Sequence, residues 1–130
     1  MLNQRNSKKQ GDVGLGIAIG WFVSKGFTVC IPLTDSQEYD LVVDMGVGLK
    51  KVQVKTTKHL SNNRQSFVVA LRTMGGNRSG INKIKYIDPT KLDYLFILTM
   101  SGTKYLIPIA DIGIVRNELT LSSVWNQYKV

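Results

Sequence analysis

Apolar residues along the chain change spacing several times, and each change predicts an element. Over residues 12–25 they recur at helical intervals, with Val13, Ile17, Trp21 and Phe22 near one face and Ala18 and Val23 beside them. Asp12 is the expected N-cap and Gly26 the expected C-cap. Glycines 14, 16 and 20 weaken the helix but permit close packing against a sheet or a partner subunit. Shorter apolar runs follow, at 27–33, 39–44, 50–57, 66–72, 81–86, 94–100 and 104–108, and each reads as a strand. In 39–44, Leu41, Val42 and Val43 are continuous, as in a buried sheet. In 50–57 the pattern alternates: Val52 and Val54 point one way, Lys51, Gln53 and Lys55 the other. Residues 45–49 hold two glycines and predict a hairpin turn. Residues 73–80 form a loop with Gly75, Gly76, Asn77, Arg78 and Gly80. A hairpin across Ser101 and Gly102, a short helix over 108–112 and an aromatic tail docked on the domain or a neighbour complete the chain. The order, one helix then many strands, predicts an α/β or α+β domain with a mixed central sheet.

Composition narrows the class. The 130 residues predict one domain, with residues 1–10 as a basic arm carrying Arg5, Lys8 and Lys9. A hydrophobic content of 43% supports a folded core. No apolar run approaches the roughly 20 residues needed to span a bilayer, and the polar first ten residues do not read as a signal peptide. The lone Cys30 lies in an apolar run, which fits a reducing, intracellular compartment. One His and one Cys argue against a zinc site. The net charge of +8 favours a polyanion as partner.

Candidate chemistry gathers where the two best strands face each other. Asp40 opens one, and Gln53 and Lys55 share a face of the next. This Asp-then-Gln-x-Lys pattern resembles that of the PD-(D/E)XK nucleases, and the resemblance implies phosphodiester hydrolysis, which needs an activated water, a neutralised phosphate and a stabilised leaving oxygen; a divalent metal held by oxygen ligands serves all three. Asp40 is the expected ligand for Mg²⁺ or Mn²⁺. Lys55 is placed to orient water or stabilise charge. Asp44 is expected to end its strand at the turn, and His59 to lie on a surface loop. Lys58, Arg64, Arg72, Asn77, Arg78, Lys83 and Lys85 are the expected DNA contacts: Arg and Asn read base edges, Lys holds phosphate. The segment from 72 to 85 has the makings of a two-stranded ribbon for the major groove.

An Asp, a gap and then Gln-x-Lys resembles the core of the PD-(D/E)XK nucleases, with Gln53 at the usual Asp/Glu position. The flanks, Gly11-Asp12-Val13-Gly14, Ile31-Pro32, Tyr39 to Asp44 and Val52 to Thr57, are similar to those of members encoded within group I introns. The resemblance is good over about residues 11–58 and weaker toward Ile107-Pro108-Ile109 and the Tyr128-x-Val130 end. It implies a restriction-endonuclease-like core, with a mixed sheet flanked by helices. It further implies a homodimer or homotetramer that cuts both strands of a long, pseudo-palindromic DNA target, with the Val54 backbone carbonyl completing the metal shell. Archaeal Holliday junction resolvases share the helix-then-Asp layout, so junction cleavage is the second reading and a non-catalytic DNA-binding protein the third. One position departs from the resemblance: Leu15 stands where a Glu is expected after Gly14. Three readings of it stay open. Asp12 substitutes, Glu38 contributes, or the chain is a catalytically weakened form, natural or engineered.

Overall fold

The structure is a computed structural model that describes residues 6–75, 83–113 and 117–130. It has an α/β architecture with a mixed central sheet, as the sequence predicts. Helix α1 (Ser7–Ser24) begins five residues earlier than expected. Its N-cap is Asn6, whose side-chain oxygen accepts the Lys8 N–H at 2.9 Å. Asp12 is therefore an exposed residue inside the helix, and residues 7–10 belong to α1 rather than to an arm. The first turns carry polar side chains, so apolar periodicity gave no sign of them. The far end follows expectation. Gly26 takes φ +84°, the Gly26 N–H reaches Val23 O, and the Phe27 N–H reaches Phe22 O. This is the double hydrogen bond of a Schellman cap.

Five strands form the central sheet in the order β1 (Thr28–Cys30), β2 (Leu41–Asp44), β3 (Leu49–Thr57), β7 (Tyr94–Thr99), β8 (Lys104–Pro108). The β3–β7 pair is parallel and the others antiparallel. Between β3 and β7 the chain builds β4 (Val68–Ala70), β5 (Arg72–Gly75) and β6 (Lys83–Tyr86). Residues 66–72 thus do not form one strand. Leu71 divides them: β4 pairs with a late strand, β9 (Glu118–Thr120), and β5 pairs with β6 as an antiparallel ribbon. Leu71 bonds through its N–H to Asn117 O and through its carbonyl to the Ile87 N–H, so the backbone changes partners there. The short β9 had no distinct signal in the sequence.

Two cores flank the sheet. On one side α1 lays Gly14, Ala18 and Phe22 against Leu41, Val43, Val52 and Phe96. The buried stripe lies one residue off the expected 13/17/21 row. A Cβ at Gly14 would stand 2.2 Å from Thr56 Cγ2, so the helix backbone itself is the contact surface there. Hydrophobicity cannot report a contact made by a residue without a side chain. On the other side Leu95, Ile97 and Ile107 pack with Val69, Leu71 and Leu119. Helix α2 (Ile109–Ile112) and a 3₁₀ turn (Ser123–Tyr128) close this layer. The tail docks on the chain itself. Tyr128 donates to Asp111 Oδ2 at 2.8 Å, Lys129 bridges to Tyr105, and the Val130 N–H reaches Lys104 O at 3.0 Å. That cover protects part of the β8 edge. Among the described residues, no helix is long and apolar enough to cross a membrane.

Candidate active site

The register of β2 against β3 assembles the site. Leu41 pairs with Val52, so the next position outward sets Asp40 across from Gln53, on the face opposite α1. The Asp40 N–H completes the ladder to Val52 O at 2.9 Å. There β2 ends. The Val54 N–H, left without a strand partner on that edge, donates to Asp40 Oδ2 at 2.7 Å. A residue's N–H and C=O leave an antiparallel strand on the same edge, so the Val54 carbonyl also falls beyond the end of β2, beside Asp40. Asp44, at the other end of β2, accepts the Gly46 N–H and holds the turn, as expected.

Gln53 and Lys55 project from β3 beside Leu95 and Ile97, their neighbours in β7. Val52 and Val54 face α1, so the predicted alternation holds. Asp40, Gln53 and Lys55 line one pocket with Gln37 and Glu38, and Leu71, Lys85, Tyr86 and Ile87 line it too. Asp40 keeps an open side toward this pocket, yet the surrounding chain removes enough water to raise its carboxyl pKa. The Val54 hydrogen bond and the Lys55 charge oppose that rise without cancelling it. Desolvation likewise lowers the Lys55 ammonium pKa, against the attraction of Asp40.

Gln53 supplies the sharpest feature of the site. Its Nε2 donates to Glu38 O at 3.1 Å, which fixes the amide orientation. Its Oε1 is buried and has no hydrogen-bond partner. Such an orphaned acceptor costs stability unless something polar completes it. An amide oxygen next to a carboxylate is a hard-oxygen donor pair that suits Mg²⁺ or Mn²⁺. The described residues contain no cluster of three or more His, Cys, Asp or Glu able to hold a metal. The oxygens gathered here are mixed in kind: the Asp40 carboxylate, the Gln53 side-chain amide and the Val54 backbone carbonyl.

The structure separates the remaining expected residues. Lys85 reaches the pocket, 3.7 Å from Glu38 Oε1. Lys58 and Arg64 lie away from it, along a shallow surface shared with the exposed His59. Arg72 is exposed on β5. Asn77, Arg78 and the Lys83 side chain lie outside the described residues. Leu15 is half-buried in the α1-side core and does not line the pocket. It follows Gly14, which meets Val54 and Thr56, so position 15 still lies beside the segment of β3 that carries Lys55. Sequence reasoning missed Lys91, whose ammonium stands 3.8 Å from Glu38 Oε1. A lysine in a turn carries no motif that could have exposed it.

A mixed sheet with an acid at a strand end and a lysine on the adjoining strand is the framework of a restriction-endonuclease-like nuclease. The sequence matches the PD-(D/E)XK endonuclease family over residues 5–127, nearly its whole length, and the chain belongs to that family. Among solved structures it is similar to a bacterial homing endonuclease, I-Ssp6803I, with a TM-score of 0.80 and 25% identity, covering 95% of this chain and 88% of that one. Comparison with curated protein sequences gives no match.

Proposed function

We propose that this endonuclease is a divalent-metal-dependent, site-specific enzyme of the intron-homing type, a homodimer or homotetramer that breaks both strands of a long pseudo-palindromic DNA target. The orphaned Oε1 of Gln53, in one pocket with Asp40 and Lys55, carries the reading. Asp40, Gln53 Oε1 and the Val54 carbonyl would hold Mg²⁺ or Mn²⁺. When bound, the ion neutralises phosphate charge and makes water acidic enough to attack. Lys55, partly desolvated beside Asp40, sets its ammonium toward the same space. There it orients the attacking water and balances the charge that builds on the phosphate. The net charge of +8 and the exposed Lys58, Arg64 and Arg72 suit phosphate contacts, and the β5–β6 ribbon suits the major groove. The homing endonuclease neighbour supports the target class. Two copies would place two such sites on a two-fold symmetric duplex, one per strand.

One observation favours a weakened or purely binding form. Leu15 is packed among apolar side chains and offers neither a metal ligand nor a proton acceptor. With Asp40 the sole carboxylate ligand, ion affinity falls while phosphate contacts remain. Cleavage of plasmid duplex and of a four-way junction with Mn²⁺, for the native chain and a Leu15→Glu variant, tests both readings. Gain of duplex cutting by Leu15→Glu is the expected result. Lys55→Ala in that background should reduce cutting by about 10²–10³-fold and spare DNA binding. Retained cutting removes Lys55 from the reaction, and junction-only cutting replaces homing with resolution.

A further inference from the structure

Glu38 lies at the centre of the pocket's polar contacts. Its side chain is only 11% exposed, and its Oε1 stands 3.7 Å from Lys85 Nζ and 3.8 Å from Lys91 Nζ. Its Oε2 accepts the Asp88 N–H at 3.4 Å. Its backbone carbonyl accepts Gln53 Nε2. One residue thus joins the β5–β6 ribbon, the 88–91 turn and the strand that carries Gln53 and Lys55. The two arms are unequal. Both lysine side chains are 60% exposed, at distances where an ion pair contributes little, on the order of 0–1 kcal/mol. The carboxylate is largely buried, and it needs positive charge more than the lysines need it.

Two ammonium groups converging on one carboxylate oxygen can converge equally on an oxygen of a backbone phosphate. We propose that Glu38 is an exchangeable carboxylate linking DNA binding to ion binding. In the free protein it holds Lys85 and Lys91. When a DNA phosphate takes those two lysines, the Glu38 carboxylate turns to the divalent ion shared with Asp40 and Gln53. DNA and the ion then strengthen each other's binding, by equal factors, because coupling between two ligands is reciprocal. The inference rests on the reading that Asp40 and Gln53 bind the ion. It assigns Lys91 to the phosphate contacts and gives the pocket a second carboxylate that appears only in the DNA complex.

Affinity for a random-sequence duplex pool, measured with and without Ca²⁺, provides the test without relying on cutting. The native chain should bind about 10-fold tighter with Ca²⁺, within the usual coupling range of about 5–150-fold. Glu38→Gln keeps an acceptor for the Asp88 N–H and frees both lysines. It should bind metal-free DNA at least as tightly as the native chain and show a Ca²⁺ gain below about 2-fold. A Glu38→Gln gain equal to the native one overturns the proposal. Asp40→Asn separates the two layers: loss of the gain there with its retention in Glu38→Gln sinks only the exchange, whereas retention in Asp40→Asn sinks the ion site itself. The double variant Lys85→Met/Lys91→Met gives an independent arm should Glu38→Gln misfold. It should tighten Ca²⁺ binding by the DNA-free protein several-fold. The same two changes in a Glu38→Gln background, the cycle that isolates the coupling, should add almost nothing. Equal tightening in both backgrounds overturns the exchange.

Discussion

The two faces of β3 are built from alternate residues of one strand, and they do opposite things. Val52 and Val54 meet α1 with Leu41 and Phe96, in a layer where aromatic rings pack closely, Phe22 to Phe96 at 5.7 Å between centroids. Gln53 and Lys55, on the other face, meet Asp40 across a polar pocket and leave an acceptor unpaired. The first face contributes stability through burial of apolar area. The second costs stability: desolvation disfavours the charged forms of both Asp40 and Lys55. Desolvated ionisable groups of that kind are commonest at functional sites. The difference shows how one strand can be scaffold and site together, since its 180° alternation separates the two roles without any loop.

The largest expected effects lie on the apolar face. Phe96→Ala should cost about 3–5 kcal/mol, read as a shift of the denaturant midpoint. A loss under about 1 kcal/mol would mean that the α1 layer does not hold the sheet. Next in size is Gly14→Ala. Its methyl would press on the β-branched Thr56, whose Cγ2 cannot swing far, and overpacking of this sort costs about 1–3 kcal/mol. An unchanged midpoint would show that α1 rides higher on β3 than the contact implies.

Smallest, and opposite in sign, is the effect on the pocket face. Asp40 has a raised pKa in the fold, so above its ordinary 3.8 the folded protein holds the Asp40 proton longer than the unfolded chain does. Stability from this group is therefore lost as pH rises through that window. Lys55 has a lowered pKa, so the folded protein gives up the lysine proton sooner. Its penalty is present at neutral pH and is relieved as pH climbs toward 10.5. Asp40→Asn, which keeps an oxygen for the Val54 N–H, should melt at or slightly above the native temperature at pH 7, the gap closing as pH falls toward 3.8. A clear drop in melting temperature at pH 7 would turn the pocket face from a cost into a support.

Much of this plan was legible in the residues. The alternation of 50–57, the acid at the start of β2 and the Gly46–Gly48 turn were enough to set Asp40, Gln53 and Lys55 together, because a strand's two-residue period and a short hairpin leave little freedom. Less legible was anything carried by polar or small residues. The Asn6 cap, the Gly14 contact and the break at Leu71 leave no hydrophobic periodicity to read.

Local chemistry follows from residue order alone: which strand faces are polar, which acid and lysine lie within one hairpin, and a charge suited to DNA. The surroundings of that chemistry come from long-range packing. It buried Gln53 Oε1 without a partner and desolvated Asp40 and Lys55. It also brought Lys85 and Lys91 onto Glu38, from residues about fifty positions away in the chain. The reason is physical: spacing along a strand fixes orientation, whereas burial, dielectric and long-range ion pairs depend on which segments the folded chain sets side by side.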